Sequence, residues 1–301
     1  MLLLLAAMLL LAPLWGFVRF RQIDRIDLSD VLSTPTTDTR TLLLVGSDSR
    51  ADVDPEREDA DALLGAPVAG QRADAIIVVR VAADGVSMVS LPRDLWVRHA
   101  SGGEQRINAA FNDGAAEMVA TVQSSLGIPI HHYAEVDFSG FDELVDAVGG
   151  VTIEVPHPAF DPGSGLIIET AGEVTLDGMD ALAYVRARRY TEIIDGQERR
   201  DPTGDIGRTA RQQGFMVALF DEMASTRNPF AVDGVLSGLA NTITMDSGLG
   251  LTDAWSIGRK VGGAEIVQVA LPVEGFTTSG GASVLRLGSG AEEVLAGFRA
   301  P

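Results

Sequence analysis

The stretch AIIVVRVAADGVSMVSLP, residues 75–92, holds two apolar, β-branched runs on either side of Asp84-Gly85. Branching at Cβ favours extended backbone, and an Asp-Gly dipeptide supplies the positive φ that a tight hairpin needs. Strands are therefore expected at 75–83 and 85–92. TLLLVG (41–46) is a continuous apolar run stopped by Gly46, the pattern of a central strand buried on both faces. Helical periodicity takes over at NDGAAEMVATVQSSLG (112–127) and at SGFDELVDAVGG (139–150), where Ser139 is expected to cap. Strands follow at 131–138, 151–156 and 264–272, and helices at 177–188, 205–225, 251–261 and 290–298. Such alternation predicts an α/β fold: a layered α/β/α domain over 41–301, with a central mixed β-sheet flanked by helices.

The first 18 residues, MLLLLAAMLLLAPLWGFV, carry no charge. As a helix they would reach about 27 Å, close to the thickness of a bilayer core. No A-x-A cleavage site precedes Arg19, so a retained transmembrane anchor over 1–18 is expected rather than a cleaved signal peptide. Arg19, Arg21 and Arg25 follow the span, which by the positive-inside rule alone would keep the rest of the chain in the cytoplasm. A basic segment upstream of Met1 would offset them, and the natural start is expected there. Residues 19–40 lose apolar character, end in a Ser/Thr/Pro run and read as a juxtamembrane linker.

The chain has 42 Asp and Glu against 23 Lys and Arg, a net charge of −19 that argues against a nucleic-acid partner. Yet seven arginines fall between Arg186 and Arg211, after a stretch from Arg106 with no basic residue. Arg208, Arg211 and Gln212 stand at i, i+3 and i+4, on one face near the start of a helix whose N-terminus already attracts anions. Guanidinium groups added there suit phosphate, which they bind bidentately. Arg186 and Arg188 end the preceding element and can converge on the same point. Charge compensation by Glu192, Glu198, Asp201 and Asp205 is the competing explanation, and it suffices for Arg189, Arg199 and Arg200.

Three more polar clusters interrupt the strands. GSDSR (46–50) places Asp48 and Arg50 beyond the end of the first strand, where α/β sheets commonly bind ligands. QRADAII (71–77) sets Arg72 and Asp74 before the second, and LPRDLW (91–96) sets Arg93 and Asp94 after the third, with Arg106 and Asn108 nearby. Taken alone, the first two are better explained by turn chemistry, and the third equally well. There is no cysteine, no HExxH, no P-loop and no G-x-S-x-G, so thiolate, zinc and serine-hydrolase chemistry find no support. Carboxylates beside phosphate point to Mg²⁺, with Mn²⁺ as the alternative and Asp48 and Asp74 as ligands.

In order and spacing, LLLVGSDSR, RADAIIVVRV, VSLPRDLWV, RINAAF, VDFSGFDELVDAVGGVTIEVP, LDGMDALAYVRAR and DIGRTARQQ resemble the LytR-CpsA-Psr family over about residues 40–300. The resemblance implies a membrane-anchored, outward-facing phosphotransferase of the bacterial cell wall. Such an enzyme moves a glycan from a polyprenyl-pyrophosphate carrier onto peptidoglycan, at a muramic acid 6-OH, as a phosphodiester. It implies Asp48 and Asp74 as metal ligands, and Arg72, Arg93, Arg106, Arg186, Arg188, Arg208 and Gln212 as pyrophosphate ligands. Arg106 stands where the family usually has Lys. Asp74 and Asp94 both remain as general base. RYTEIIDGQERR is longer than the family's spacing at that point and reads as an extended loop without a role. A polyprenyl-pyrophosphate pyrophosphatase and a noncatalytic wall-polymer-binding protein are the alternatives. The glycan, arabinogalactan or teichoic acid, is not legible.

Overall fold

The computed structural model describes residues 20–47, 73–136, 138–225, 243–262 and 264–300. They fall into two compact units, one built mainly on Ile26–Phe138 and Gly263–Pro301, the other on Ser139–Thr244 and Gly250–Gly262.

The first unit carries a seven-stranded mixed sheet. Its order is β1 (Asp24–Ile26), β14 (Ile243–Asp246), β7 (His132–Val136), β2 (Arg40–Ser47), β3 (Ala73–Ala82), β4 (Gly85–Ser90) and β15 (Ile266–Val269). β3 runs antiparallel to both β2 and β4, whereas β2–β7 and β4–β15 are parallel. Leu43 faces Val78 and Val45 faces Ile76 across the β2–β3 register, and Val78 faces Val89 on β4. That apolar face is covered by the 3-10 segment Ile107–Asp113, α1 (Ala115–Leu126) and α6 (Ala291–Arg299), through Met118, Val119, Val122, Leu295 and Phe298. A large-to-small change among these fully buried side chains costs about 2–5 kcal/mol.

Three local expectations need correction. Along β2 buried and half-buried residues alternate, so TLLLVG is buried on one face only; β3 is the strand whose Ile76 to Val79 are all buried. Ala82 pairs with Gly85, which makes Ala83 and Asp84 the hairpin loop and Gly85 the first residue of β4. Asp84 still fixes the turn, through an ion pair with Arg80 at 3.0 Å. Asp24–Ile26, within the stretch read as linker, form β1, and Ile23 and Leu28 are buried. The anchor expected over 1–18 lies outside the described residues, among which no helix is long and apolar enough to cross a membrane.

The second unit comprises α2 (Phe138–Val148), β8 (Val151–Val155), β9 (Ala159–Asp161), β10 (Leu166–Ile168), β11 (Gly172–Leu176), α3 (Gly178–Arg186), β12 (Thr191–Ile194), β13 (Gln197–Arg200), α4 (Asp205–Ser225) and α5 (Leu251–Val261). Because α2 begins at Phe138, Ser139 is inside the helix rather than its cap. β8 and β11 form one ladder; β10, β9, β12 and β13 form another. The segment read as an extended loop is therefore a hairpin. Asp195 (φ 52°) and Gly196 (φ 75°) both adopt the left-handed backbone that a tight two-residue hairpin requires.

α3 starts at a close approach. A Cβ on Gly178 would lie 2.3 Å from the Asp142 carbonyl oxygen, so only glycine lets α3 meet α2 here. The Gly178 N–H donates to Asp146 (2.7 Å), and Asp177 caps by accepting from the Asp180 N–H (2.9 Å). Farther along, Phe141 and Tyr184 pack on Phe215 and seat α2 and α3 on α4.

Candidate functional site

The expected site residues divide between the units. In the first, the chain after β4 turns at Pro92 and enters β5 (Trp96–Arg98), which pairs antiparallel with β6 (Glu104–Arg106). This brings Arg106 back to Asp94, with its Nε 2.9 Å from Oδ1, while Arg93 Nε lies 3.6 Å from Oδ2. One carboxylate thus holds two guanidinium groups side by side. An Arg106 terminal nitrogen also donates to the Ser283 carbonyl (3.0 Å), and the Asp94 carbonyl accepts from the Leu285 N–H (3.0 Å). β17 (Ser283–Leu287), paired with β16 (Val273–Thr277), so fastens the cluster from the other side. The cluster borders a cleft of about 680 Å³.

In the second unit, Arg186 and Arg188 flank the buried Ala187 at the end of α3, and that short segment is clamped. Gln212 Nε2 donates to the Val185 carbonyl (3.1 Å), and Arg211 Nη2 to the Ala187 carbonyl (2.7 Å). The Arg189 N–H donates to Asp161 Oδ2 (2.6 Å), and the Thr191 hydroxyl to the Arg189 carbonyl (2.9 Å). Asp161, only 1% exposed, also accepts the Gly163 N–H at 2.6 Å. Four side chains therefore fix the backbone from which Arg186 and Arg188 project.

Arg211 is itself held. Its Nη1 lies 2.9 Å from Asp201 Oδ2, and its guanidinium sits over the Tyr190 ring, 4.4 Å from the centroid. Burial acts to raise the Asp201 pKa, but the Thr203 hydrogen bonds and the Arg211 guanidinium outweigh it and hold the carboxyl below its usual value. Burial, reinforced by Tyr184 and Glu192, pushes the Tyr190 hydroxyl up, so the ring under Arg211 stays neutral. Gly207, on the first turn of α4, lies close under the side-chain oxygens of Asp201 and Thr203, and a Cβ there would force those side chains to shift.

The i, i+3, i+4 face of α4 is thus real. Arg208 is buried, 3% exposed, while Arg211 and Gln212 each donate to a backbone carbonyl of the clamped segment, Arg211 also pairing with Asp201. Gln212, expected among the pyrophosphate ligands, gives one amide hydrogen bond to Val185. Asp48 and Arg72 lie outside the described residues. Asp74 is the second residue of β3, and its side chain is likewise outside them. Among the described residues no group of three or more His, Cys, Asp or Glu is placed to hold a metal ion.

The register shift between Gly46 and Ser47 sets Ser47 opposite Ala73. Ser47 Oγ, fully buried at the same place, makes no hydrogen bond within the described residues. A buried hydroxyl of this kind is an oxygen donor that a hard divalent cation accepts.

Sequence reasoning missed Asp161 as a support, whereas Asp201, named as charge compensation, does pair with Arg211. For Asp161 there was a signal, the F-D-P-G-S-G run, since Asp two residues before Gly favours a side-chain-closed turn.

The LytR_cpsA_psr family model matches residues 19–294. Among curated proteins, the chain is 33% identical over 273 residues to the probable cell wall biosynthesis protein LcpB of Corynebacterium glutamicum, covering 87% of this chain and 61% of that protein. It is 35% identical over 200 residues to the polyisoprenyl-teichoic acid–peptidoglycan teichoic acid transferase TagV of Bacillus subtilis, covering 62% and 48%. The chain thus spans about half to three-fifths of the length of these relatives. Among solved structures, the LytR-Csp2A-Psr enzyme from Actinomyces oris superposes with a TM-score of 0.73 at 26% identity, covering 93% of this chain and 96% of that one.

Proposed function

The chain belongs to the LytR_cpsA_psr family, and on that premise we propose that it is a transferase of cell wall assembly. It moves a glycan polymer from a polyprenyl-pyrophosphate carrier onto peptidoglycan. The observation that carries the reading is the clamped Val185–Arg189 segment. Four side chains holding the backbone of two consecutive-but-one arginines is an investment in a fixed pair of cations, as a doubly charged pyrophosphate requires. The name of the TagV relative, a teichoic acid transferase acting on peptidoglycan, supports the reaction class.

The chemistry is a displacement at phosphorus. The muramic acid 6-hydroxyl oxygen bonds to the sugar-linked phosphorus, the bridging P–O bond breaks, and polyprenyl phosphate leaves with that electron pair. The hydroxyl proton passes to a carboxylate. Arg186, Arg188 and Arg208 bind and neutralise phosphate oxygens, and Arg93 and Arg106 have the same role. Asp94, with both oxygens turned to Arg93 and Arg106, orients those two rather than taking the proton. Mg²⁺, held by Asp48 and Asp74, would supply further neutralisation of pyrophosphate charge. Residues 1–18 anchor the chain in the membrane as a single span, with the catalytic part on the extracytoplasmic side.

The test supplies the full chain, in detergent, with a short-chain polyprenyl-pyrophosphate glycan and peptidoglycan fragments, and looks by mass spectrometry for the glycan–peptidoglycan phosphodiester. The expected result is an adduct that disappears with Arg208→Ala. Release of polyprenyl phosphate without adduct would identify a pyrophosphatase. Binding without turnover would identify a wall-polymer-binding protein.

A further inference from the structure

Arg93, Asp94 and Arg106 occupy one end of their cleft, and the rest of its lining has a different chemistry. Trp96 and Arg106 are directly opposite across the β5–β6 ladder, so indole and guanidinium stand side by side. Trp96 Nε1 lies 3.4 Å from Glu104 Oε2, which restrains the ring while leaving it partly exposed. Immediately after Arg106 the chain enters the 3-10 segment, and the Asn108 N–H donates to the Arg93 carbonyl (3.2 Å). That bond places Asn108 against the arginines. Among the described residues, three carboxamides, from Gln105, Asn108 and Asn112, line the cleft, and no aliphatic side chain larger than alanine does.

This pattern selects a ligand. Carboxamides are neutral and present both donors and acceptors, which matches hydroxyl and acetamido groups and offers nothing to a second phosphate. An indole face supplies flat apolar area suited to the C–H face of a ring. An alkyl chain finds too little apolar wall. The volume, about 680 Å³, lies within the range of roughly 300–1,000 Å³ typical of small-ligand sites.

We propose that the cleft formed by Trp96, Gln105, Asn108 and Asn112 is a pyranose subsite, adjoining the phosphate held by Arg93 and Arg106. It deepens the transferase reading and rests on it. A sugar joined to phosphate must lie next to the guanidinium end, and these side chains, with Ser283, are the remaining polar wall among the described residues. The same chemistry fits the donor's phosphate-linked sugar and the acceptor's muramic sugar, and the experiment separates them.

The full chain would be titrated by calorimetry with inorganic pyrophosphate, with an alkyl glycosyl pyrophosphate, and with a muramic acid-containing disaccharide. Native protein, Trp96→Ala, Trp96→Phe and Asn112→Ala would be compared, with circular dichroism as the folding control. Losing hydrogen-bonding or stacking partners should weaken the cognate sugar by about fivefold or more in Trp96→Ala and Asn112→Ala. Pyrophosphate affinity should change less than twofold, and Trp96→Phe should recover part of the loss. Loss for the glycosyl pyrophosphate places the donor sugar in the cleft; loss for the disaccharide alone places the acceptor there. Asn112→Ala is at an exposed position and remains decisive should Trp96→Ala misfold. Native affinity of these folded variants for both sugars, or equal loss of sugar and pyrophosphate, overturns the subsite. Failure of Arg93→Ala to weaken pyrophosphate would instead count against the transferase reading itself.

Discussion

The Arg211 guanidinium joins two parts of the chain that sequence alone keeps apart: it donates to the Ala187 carbonyl at 2.7 Å and pairs with Asp201 at 2.9 Å. It fixes the backbone between Arg186 and Arg188, and the positioning role this gives it can be tested. Arg211→Ala should cost on the order of 2 kcal/mol, since a largely buried charged donor is lost from both partners. It should raise KM for the polyprenyl-pyrophosphate donor more than it lowers kcat. Arg211→Lys should restore the Asp201 pairing but not the second donor, and recover part of the stability without recovering KM. Equal KM in the Ala variant and the native protein would remove the positioning role.

Asp161 makes a second, independent test of the clamp. Its buried carboxylate accepts the N–H groups of Gly163 and Arg189. Asp161→Ala leaves both donors without that acceptor and should destabilise by about 2–3 kcal/mol, read from the urea midpoint. Asp161→Asn keeps an acceptor for one of them, so its midpoint should fall between. If Asp161→Asn is as stable as the native protein, the two bonds are not what hold the turn.

Asp94→Asn separates an orienting carboxylate from a proton acceptor. As the group that aligns Arg93 and Arg106, its loss of charge should raise donor KM several-fold, while kcat keeps the acid limb of its pH profile. Loss of that limb with KM unchanged would make Asp94 the base.

Cation dependence tests the proposal that Asp48 and Asp74 hold a divalent metal. Exhaustive chelation should abolish transfer, and Mg²⁺ or Mn²⁺ should restore it, while Ca²⁺, larger and less strict in geometry, should restore little. Asp48→Ala should need more Mg²⁺ for half-maximal activity. Full activity after chelation would leave the arginines as the whole of the charge neutralisation.

What the sequence showed, and what it hid, follows the range of each interaction. The β3–β4 hairpin, Asp177 at the start of α3 and the shared face of Arg208, Arg211 and Gln212 were legible because each depends on residues within a turn of one another. The partners of Arg211 and Gln212 were not, because they depend on where Val185, Ala187 and Asp201 end up in space. The β12–β13 hairpin could have been found: Asp195-Gly196 lies between TEII and QERR, the same signal that located the turn at Asp84. Reading the segment against family spacing masked it, and with it the route by which Asp201 reaches Arg211. The half-exposed face of β2 was misread because an unbroken Leu run carries no period, so burial on one face and on two look alike.

His131 gives the pH dependence its sign. Its Nδ1 accepts the Thr41 N–H at 2.9 Å, so protonation must break a bond that ties β2 to the start of β7. Burial, with the charges of His132 and Arg40 beside it, lowers its pKa from 6.5 to about 4. The unfolded chain therefore binds a proton between these values that the folded chain refuses. Stability from this group is complete above about pH 6.5 and declines as pH falls toward 4. Because the ring is half-exposed, the loss should be on the order of 1 kcal/mol rather than the full value of the shift. Urea midpoints at pH 7.5, 6.0 and 5.0 would show it as a downward slope. His131→Asn keeps a neutral acceptor and should flatten that slope by the same amount; an unchanged slope in this variant would assign the acid sensitivity to other groups.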